Sequence, residues 1–210
     1  MIGIGIPSLS TSHEGLHDFI LNNFPISLNR NTKILDVGCG CGNLEGKLKQ
    51  MGYSSVIGID LGENPEYCQK LFPEYKFINH DILTKFPFKD KEFDYAFCVE
   101  VLEHVVNPFY ALNEILRVAK HVIFSVPNGF WFQISPKKII AKNGAVWFAP
   151  SHDLLNMAMY WLNAEILIFD YFYVSTVILN RKVNLKFIRS IAPSLFASTF
   201  ILMINQKAIS

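Results

Sequence analysis

Three groups of residues in this 210-residue chain have types and spacings that could do chemistry. The first is Gly38-Cys39-Gly40-Cys41-Gly42, entered from the apolar run Ile34-Leu35-Asp36-Val37. Glycines in such a turn permit positive φ and let a ligand approach the backbone closely. The pattern is G-x-G-x-G, with Asn43 where a dinucleotide fingerprint would place its third glycine, so it fits either a dinucleotide or another adenosine-bearing cofactor. Charge separates the two. Asp36, two residues before the first glycine, would repel a pyrophosphate and suits a ligand carrying an ammonium and a sulfonium. Asp60, at the end of a second apolar run, can accept hydrogen bonds from both hydroxyls of a ribose.

The second group is Glu100-Val101-Leu102-Glu103-His104. If the segment is helical, positions i, i+3 and i+4 share one face. Two carboxylates and an imidazole could then hold a divalent cation and acidify a hydroxyl. The alternative is that Glu100 serves the cofactor while Glu103 and His104 cap a helix or meet solvent, and on that reading no metal site is expected. The third group is histidines that could reach an acceptor: His13 and His17 on a leading helix, and His152 after an aromatic-rich stretch. His104 and His152 are the catalytic candidates. Cys39, Cys41, Cys68 and Cys98 lack disulfide-framework or zinc spacing, which points to a reducing, cytoplasmic compartment and, for the C-x-C of Cys39 and Cys41, to small loop fillers.

The elements that must position these groups follow from hydrophobic periodicity. Strands are expected at Lys33–Val37, Ser55–Ile59, Tyr75–Asn79, Phe93–Val99 and His121–Val126, with helices starting near Asn43, Asn64 and Asn107 between them. This alternation is the mark of a parallel α/β sheet. The second and third helices open Asn-Pro, with Asn to cap free N–H groups and Pro at a position where its missing donor costs nothing. Leu112, Ile115 and Leu116 form a stripe expected to pack on the sheet. Thr11 and Glu14 have capping-box spacing for a leading helix over Ser12–Asn23. Late in the chain come a helix near Ser151–Asn163 and two more strands, near Glu165–Val174 and Ser198–Asn205.

Composition bounds the function. Half the residues are apolar and 18% are charged, which excludes disorder, and the net charge of +1 excludes a broadly basic nucleic-acid binder. The balance is uneven along the chain: residues 1–115 hold 9 basic and 15 acidic side chains, and residues 116–210 hold 10 and 3. Beyond Asp170 there is no acid, while Arg181, Lys182, Lys186 and Arg189 alternate with apolar residues in a basic insertion over 180–190. That insertion is a solvated hairpin face or a surface for peripheral contact with anionic lipid. The aromatics of residues 129–150 are a lid over an acceptor or part of the core. No secretory signal or membrane span is expected.

Over Lys33–Asn128 the chain resembles the class I S-adenosylmethionine-dependent methyltransferases, in their ubiquinone/menaquinone-type branch. The resemblance rests on ILDVGCGCG, VIGIDLGEN, NHDI and FDYAFCVEVLEHVVNP followed by LNEILRVAKHVIFSVPN, in that order. It implies an α/β, doubly wound, Rossmann-like fold: a seven-stranded, mostly parallel sheet with the last strand antiparallel and helices on both faces. One domain over 1–210 is expected, with a leading helix cap over 1–30. By the same resemblance Asp36 and the backbone of Gly38, Cys39, Gly40 and Gly42 would meet the methionine end of S-adenosylmethionine. Asp60 would hold the ribose, Leu61 would pack on the adenine, and Asp81 and Ile82 would face its ring. Glu100 would lie beneath the sulfur. The function implied is methyl transfer to a small, apolar or aromatic acceptor, with S-adenosylhomocysteine as the other product. A non-catalytic S-adenosylmethionine-binding module is the alternative. A protein or RNA methyltransferase is weaker, since no Asn-Pro-Pro-Tyr motif follows the fourth strand. No nucleic-acid partner is expected.

Overall fold

The β-branched runs and the helices between them assemble into one sheet. A computed structural model describes residues 15–27, 29–127, 162, 164–172, 177–178, 181–182 and 199–206. The first five strands are β1 (Lys33–Val37), β2 (Ser55–Asp60), β3 (Lys76–Asn79), β4 (Phe93–Val99) and β5 (Ala119–Pro127), all mutually parallel. After them come β6 (Ala164–Phe172), a two-stranded hairpin of β7 (Val177–Ile178) and β8 (Arg181–Lys182), and β9 (Thr199–Gln206). The seven-stranded order is β3-β2-β1-β4-β5-β9-β6. The last strand, β9, runs antiparallel to both neighbours, wedged between β5 and β6. The chain leaves β1 toward β2 on one side and returns to β4 on the other. That reversal opens a crevice at the carboxyl ends of β1 and β4, where ligands bind in open α/β sheets.

Side chains alternate across the sheet and build a core on each face. Leu35, Val37, Ala96, Cys98, Val122 and Phe124 face α4 (Pro108–Val118), which buries Leu112, Ile115 and Leu116 against them as its periodicity predicts. Ile34, Phe97 and Ile123 face the other way, toward Leu16 and Ile20 of α1 (Leu16–Asn23) and Leu44 and Leu48 of α2 (Asn43–Gln50). Burying each such side chain is worth about 1.5–3 kcal/mol, so the crevice sits on a floor packed from both sides.

One helix start and one helix cap differ from expectation. α1 begins at Leu16, because Gly15 has φ +84°, a left-handed conformation that cannot continue a helix back to Ser12. The Thr11–Glu14 capping pair lies outside the described residues. Asn107 caps α4 as expected, accepting from the Tyr110 N–H at 3.1 Å with Pro108 behind it. In α3 (Asn64–Leu71), Asn64 lies inside the first turn, where its side chain donates to Asp60 instead of capping. The Ser151–Asn163 helix and the 129–150 aromatic loop also fall outside the described residues, as does the basic insertion apart from β8.

Candidate active site

The glycine turn is tied to the end of β2 by its own backbone. The N–H groups of Gly38 and Cys39 donate to the Ile59 carbonyl at 2.8 and 3.1 Å. Gly40 N–H donates to Asp60 Oδ2 at 2.7 Å, Asn64 Nδ2 reaches the same oxygen at 3.2 Å, and Leu61 N–H donates to Oδ1 at 2.7 Å. A carboxylate has about four lone-pair sites, so Asp60, which accepts from these three donors, keeps room for one more hydroxyl while it clamps the loop. Two glycines are obligatory. Gly38 has φ +79° and a Cβ there would land on the Val101 side chain; Gly42 has φ +82° and a Cβ would meet Phe72 at 2.5 Å. The loop also closes over a thiol, for Cys68 Sγ donates to the Gly40 carbonyl at 3.2 Å.

Beneath the turn lies an acidic bed. Asp36, paired with Gly58 in the β1–β2 register, is buried, and Glu45 in the first turn of α2 has no exposed surface. No N–H or O–H donor among the described residues reaches either Glu45 oxygen. Loss of water pushes Asp36 well above the usual carboxylate range, helped by the facing charges of Glu45 and Asp60. Burial likewise pushes Glu45 up to about 8.

The carboxyl end of β4 is built differently. Glu100 has φ +56°, a left-handed conformation costly for a side chain with a Cβ. Ser125 of β5 holds it there from both sides: the hydroxyl accepts from Glu100 N–H at 3.1 Å and donates to Glu100 Oε1 at 3.1 Å. Burial raises Glu100 to about 7, against the hydroxyls of Ser125 and Thr199, which favour its charged form. A single 3-10 turn follows over Leu102–His104. The left-handed Glu100 therefore breaks the helix that would have put Glu100, Glu103 and His104 on one face. Glu103 points inward, buried and raised well above the usual range by desolvation and by Glu100, with Oε2 unpartnered. His104 stands outside it, its Nε2 3.6 Å from Glu103 Oε1. Among the described residues no three His, Cys, Asp or Glu side chains are grouped so as to hold a metal ion.

The other sequence-predicted residues fall along the same edge. Leu61 is 55% exposed beyond Asp60, an apolar side chain left open at the crevice. Asp81 follows β3, where Oδ1 accepts from Leu83 N–H at 2.9 Å, and Ile82 tucks into the core. His17 sits half-buried on α1, and burial with the charge of Lys47 lowers it to about 4, so it is neutral. His13 and His152 lie outside the described residues. Sequence reasoning missed Glu45, Cys68, Ser125 and Thr199. An acid in a helix's first turn reads as a partner for the helix dipole, and a hydroxyl in an apolar strand carries no signal of what faces it.

This topology, with a glycine turn at the switch point and an acid ending β2, defines the class I S-adenosylmethionine-dependent methyltransferase fold. Residues 35–122 match a family described as a methyltransferase domain. Over that segment, which is less than half of the chain, the sequence is similar to the ubiquinone-type methyltransferases. It is 34% identical over 124 residues to a ubiquinone biosynthesis O-methyltransferase of Pseudomonas fluorescens (strain SBW25), covering 52% of each chain. A counterpart from Acinetobacter baylyi is 31% identical over 105 residues, covering 46% of this chain and 44% of the other. The chain thus spans about half the length of the curated relatives it matches. The fold is also that of a Haloferax volcanii methyltransferase solved with the Trm112 methyltransferase activator (TM-score 0.71, 15% identity, 96% and 92% of the chains covered). Magnesium protoporphyrin IX methyltransferase from Synechocystis PCC 6803, solved with bound S-adenosylhomocysteine, shares it as well (TM-score 0.63, 18% identity, 92% and 81% covered). No helix among the described residues is long and apolar enough to cross a membrane.

Proposed function

We propose that this chain transfers a methyl group from S-adenosylmethionine to a small, apolar or aromatic acceptor. The observation that carries the proposal is the glycine turn clamped by Asp60 above the buried Asp36 and the unpartnered Glu45 carboxyl, an environment suited to a cationic adenosine ligand and hostile to a pyrophosphate. Asp36 and the backbone of Gly38, Cys39, Gly40 and Gly42 would take the methionine end. Asp60 would hold the ribose, with Leu61, Asp81 and Ile82 around the adenine and Glu100 toward the sulfur. When bound, S-adenosylmethionine supplies a methyl group already activated by its sulfonium. The protein's task is then to hold an acceptor in line and keep water out.

A hydroxyl is the first acceptor class to test, because the curated relatives carry O-methyltransferase names. Such an acceptor must lose a proton. Glu100 at about 7, and His104 and His152 as the catalytic candidates, are the groups proposed to take it. The test is calorimetric binding of S-adenosylmethionine followed by transfer of its labelled methyl to a panel of phenols, catechols and small aliphatic alcohols. Binding with transfer supports the reading. Binding without transfer over the whole panel replaces it with a non-catalytic cofactor-binding module, and no binding removes both.

A further inference from the structure

Glu45 has no place in the chemistry above, yet it is the most costly side chain at the site. A carboxyl with no exposed surface and no donor in reach would lose several kcal/mol if ionised alone in that position. Among the described residues its surroundings supply no cation. From β1 it faces Asp36, from the end of β2 Asp60, from α3 Cys68, and before β3 Tyr75. On the β2 side Gly58 leaves it room, since a Cβ there would stand 2.9 Å from Glu45 Oε1. The lysines of its own helix, Lys47 and Lys49, pair instead with Asp18 and Glu74. The neighbour able to satisfy it, once one of the two carboxyls carries a proton, is Asp36, the register partner of the same Gly58 that Glu45 Oε1 lies against.

We propose that Asp36 and Glu45 share one proton beneath the glycine turn and release it to solvent when a cationic cofactor binds, so that the chain tells S-adenosylmethionine from its neutral demethylated product by charge. This rests on the reading that S-adenosylmethionine binds at this turn. The geometry supports it because the shared proton satisfies both buried carboxyls in the empty protein. A sulfonium and an ammonium overhead then make the second negative charge favourable, and the proton leaves. Loss of the methyl group removes the sulfonium charge, the pair takes its proton back, and the product is held less tightly than the cofactor. Glu45 is thus a positioning residue acting through Asp36.

Calorimetry of both ligands in two buffers of different ionisation enthalpy tests this across about pH 6.5 to 9.5. The ligands' own amino groups titrate too, and cancel when the intact chain is compared with Glu45→Gln. The intact chain is expected to release more protons on binding S-adenosylmethionine than Glu45→Gln does. Its preference for S-adenosylmethionine over S-adenosylhomocysteine should rise about tenfold with pH, the ratio that a one-unit fall in the pair's pKa produces, and stay flat in the variant. Glu45→Met serves should the glutamine variant fail to fold. Difference infrared spectra of the intact chain give a readout free of any variant: the carbonyl stretch of a protonated carboxyl should vanish when S-adenosylmethionine is added. Proton release and preference identical in the intact chain and the variant, with binding retained, would overturn the inference and leave the cofactor reading standing. Failure of both ligands to bind would overturn the two together.

Discussion

The two ends of the crevice each hold a pair of carboxyls withdrawn from solvent, wholly for Asp36, Glu45 and Glu103 and in part for Glu100, and they are held by different means. At the β1–β2 end the turn is knotted by backbone N–H groups to Ile59 and Asp60, all within a short stretch of chain. At the β4 end Glu100 stands in a left-handed conformation because Ser125, on another strand, grips its backbone and its side chain. Thr199, from the antiparallel strand near the far end of the sequence, adds a hydroxyl beside it. The β1–β2 end is closed largely by backbone N–H groups of the turn on two strands that are neighbours both in sequence and in the sheet. The β4 end takes its form from β5, which pairs with β4 and supplies Ser125.

Four changes would break or sharpen that contrast. The largest effect belongs to Gly38→Val. A β-branched residue at φ +79°, with its Cβ on Val101, should cost about 3 kcal/mol or more and abolish cofactor binding, read by thermal melting and calorimetry. Asp60→Ala comes next. Removing the acceptor of three donors should weaken S-adenosylmethionine binding by about a hundredfold while the fold, built on the two cores, still melts cooperatively. Equal loss of fold and binding would show that the clamp is not local.

At the other end, Ser125→Ala should leave cofactor affinity within about twofold and act on Glu100 alone. Without its donor the Glu100 carboxyl rises above about 7, so the acidic limb of the pH–rate profile should move to higher pH by about half a unit to one unit. An unmoved limb would remove Glu100 from the reaction. Glu45→Gln is the smallest and has a definite sign. A carboxyl raised to about 8 in the fold, against an ordinary 4.5, favours the folded state fully only below about 4.5. That contribution is lost as pH rises through about 8. The variant should therefore melt a few degrees higher than the parent at pH 8.5 and show no gain at pH 4.5, followed by circular dichroism.

The part of the molecule that was legible beforehand is the part made by neighbours in sequence. The strands β1, β2 and β4 begin and end at or within a residue of the expected positions, because alternation and β-branching act residue by residue. Asn107 caps its helix for the same reason, since the donor it accepts from is three residues on. Asn64 shows where this stops. By type and context it matches Asn107, yet its amide goes to Asp60, four residues back, a carboxylate that the fold also ties to the Gly40 N–H, 20 positions away. The E-x-x-E-H segment shows it again, for its helical face is lost to a left-handed residue stabilised by a strand 25 positions later.

The sequence by itself determined the order of strands and helices, the glycine turn with its acids Asp36 and Asp60, and the charge of the ligand that turn could accept. Those depend on local backbone preferences and on the signs of nearby charges, which are written in consecutive residues. Only the tertiary structure decided that Glu45 lies unpartnered beside Asp36, that Cys68 closes the loop from below, and that Ser125 holds Glu100. These contacts bridge separate elements of the sheet. Their energies come from removing water around groups that no sequence pattern places together, and that desolvation is settled when the sheet closes.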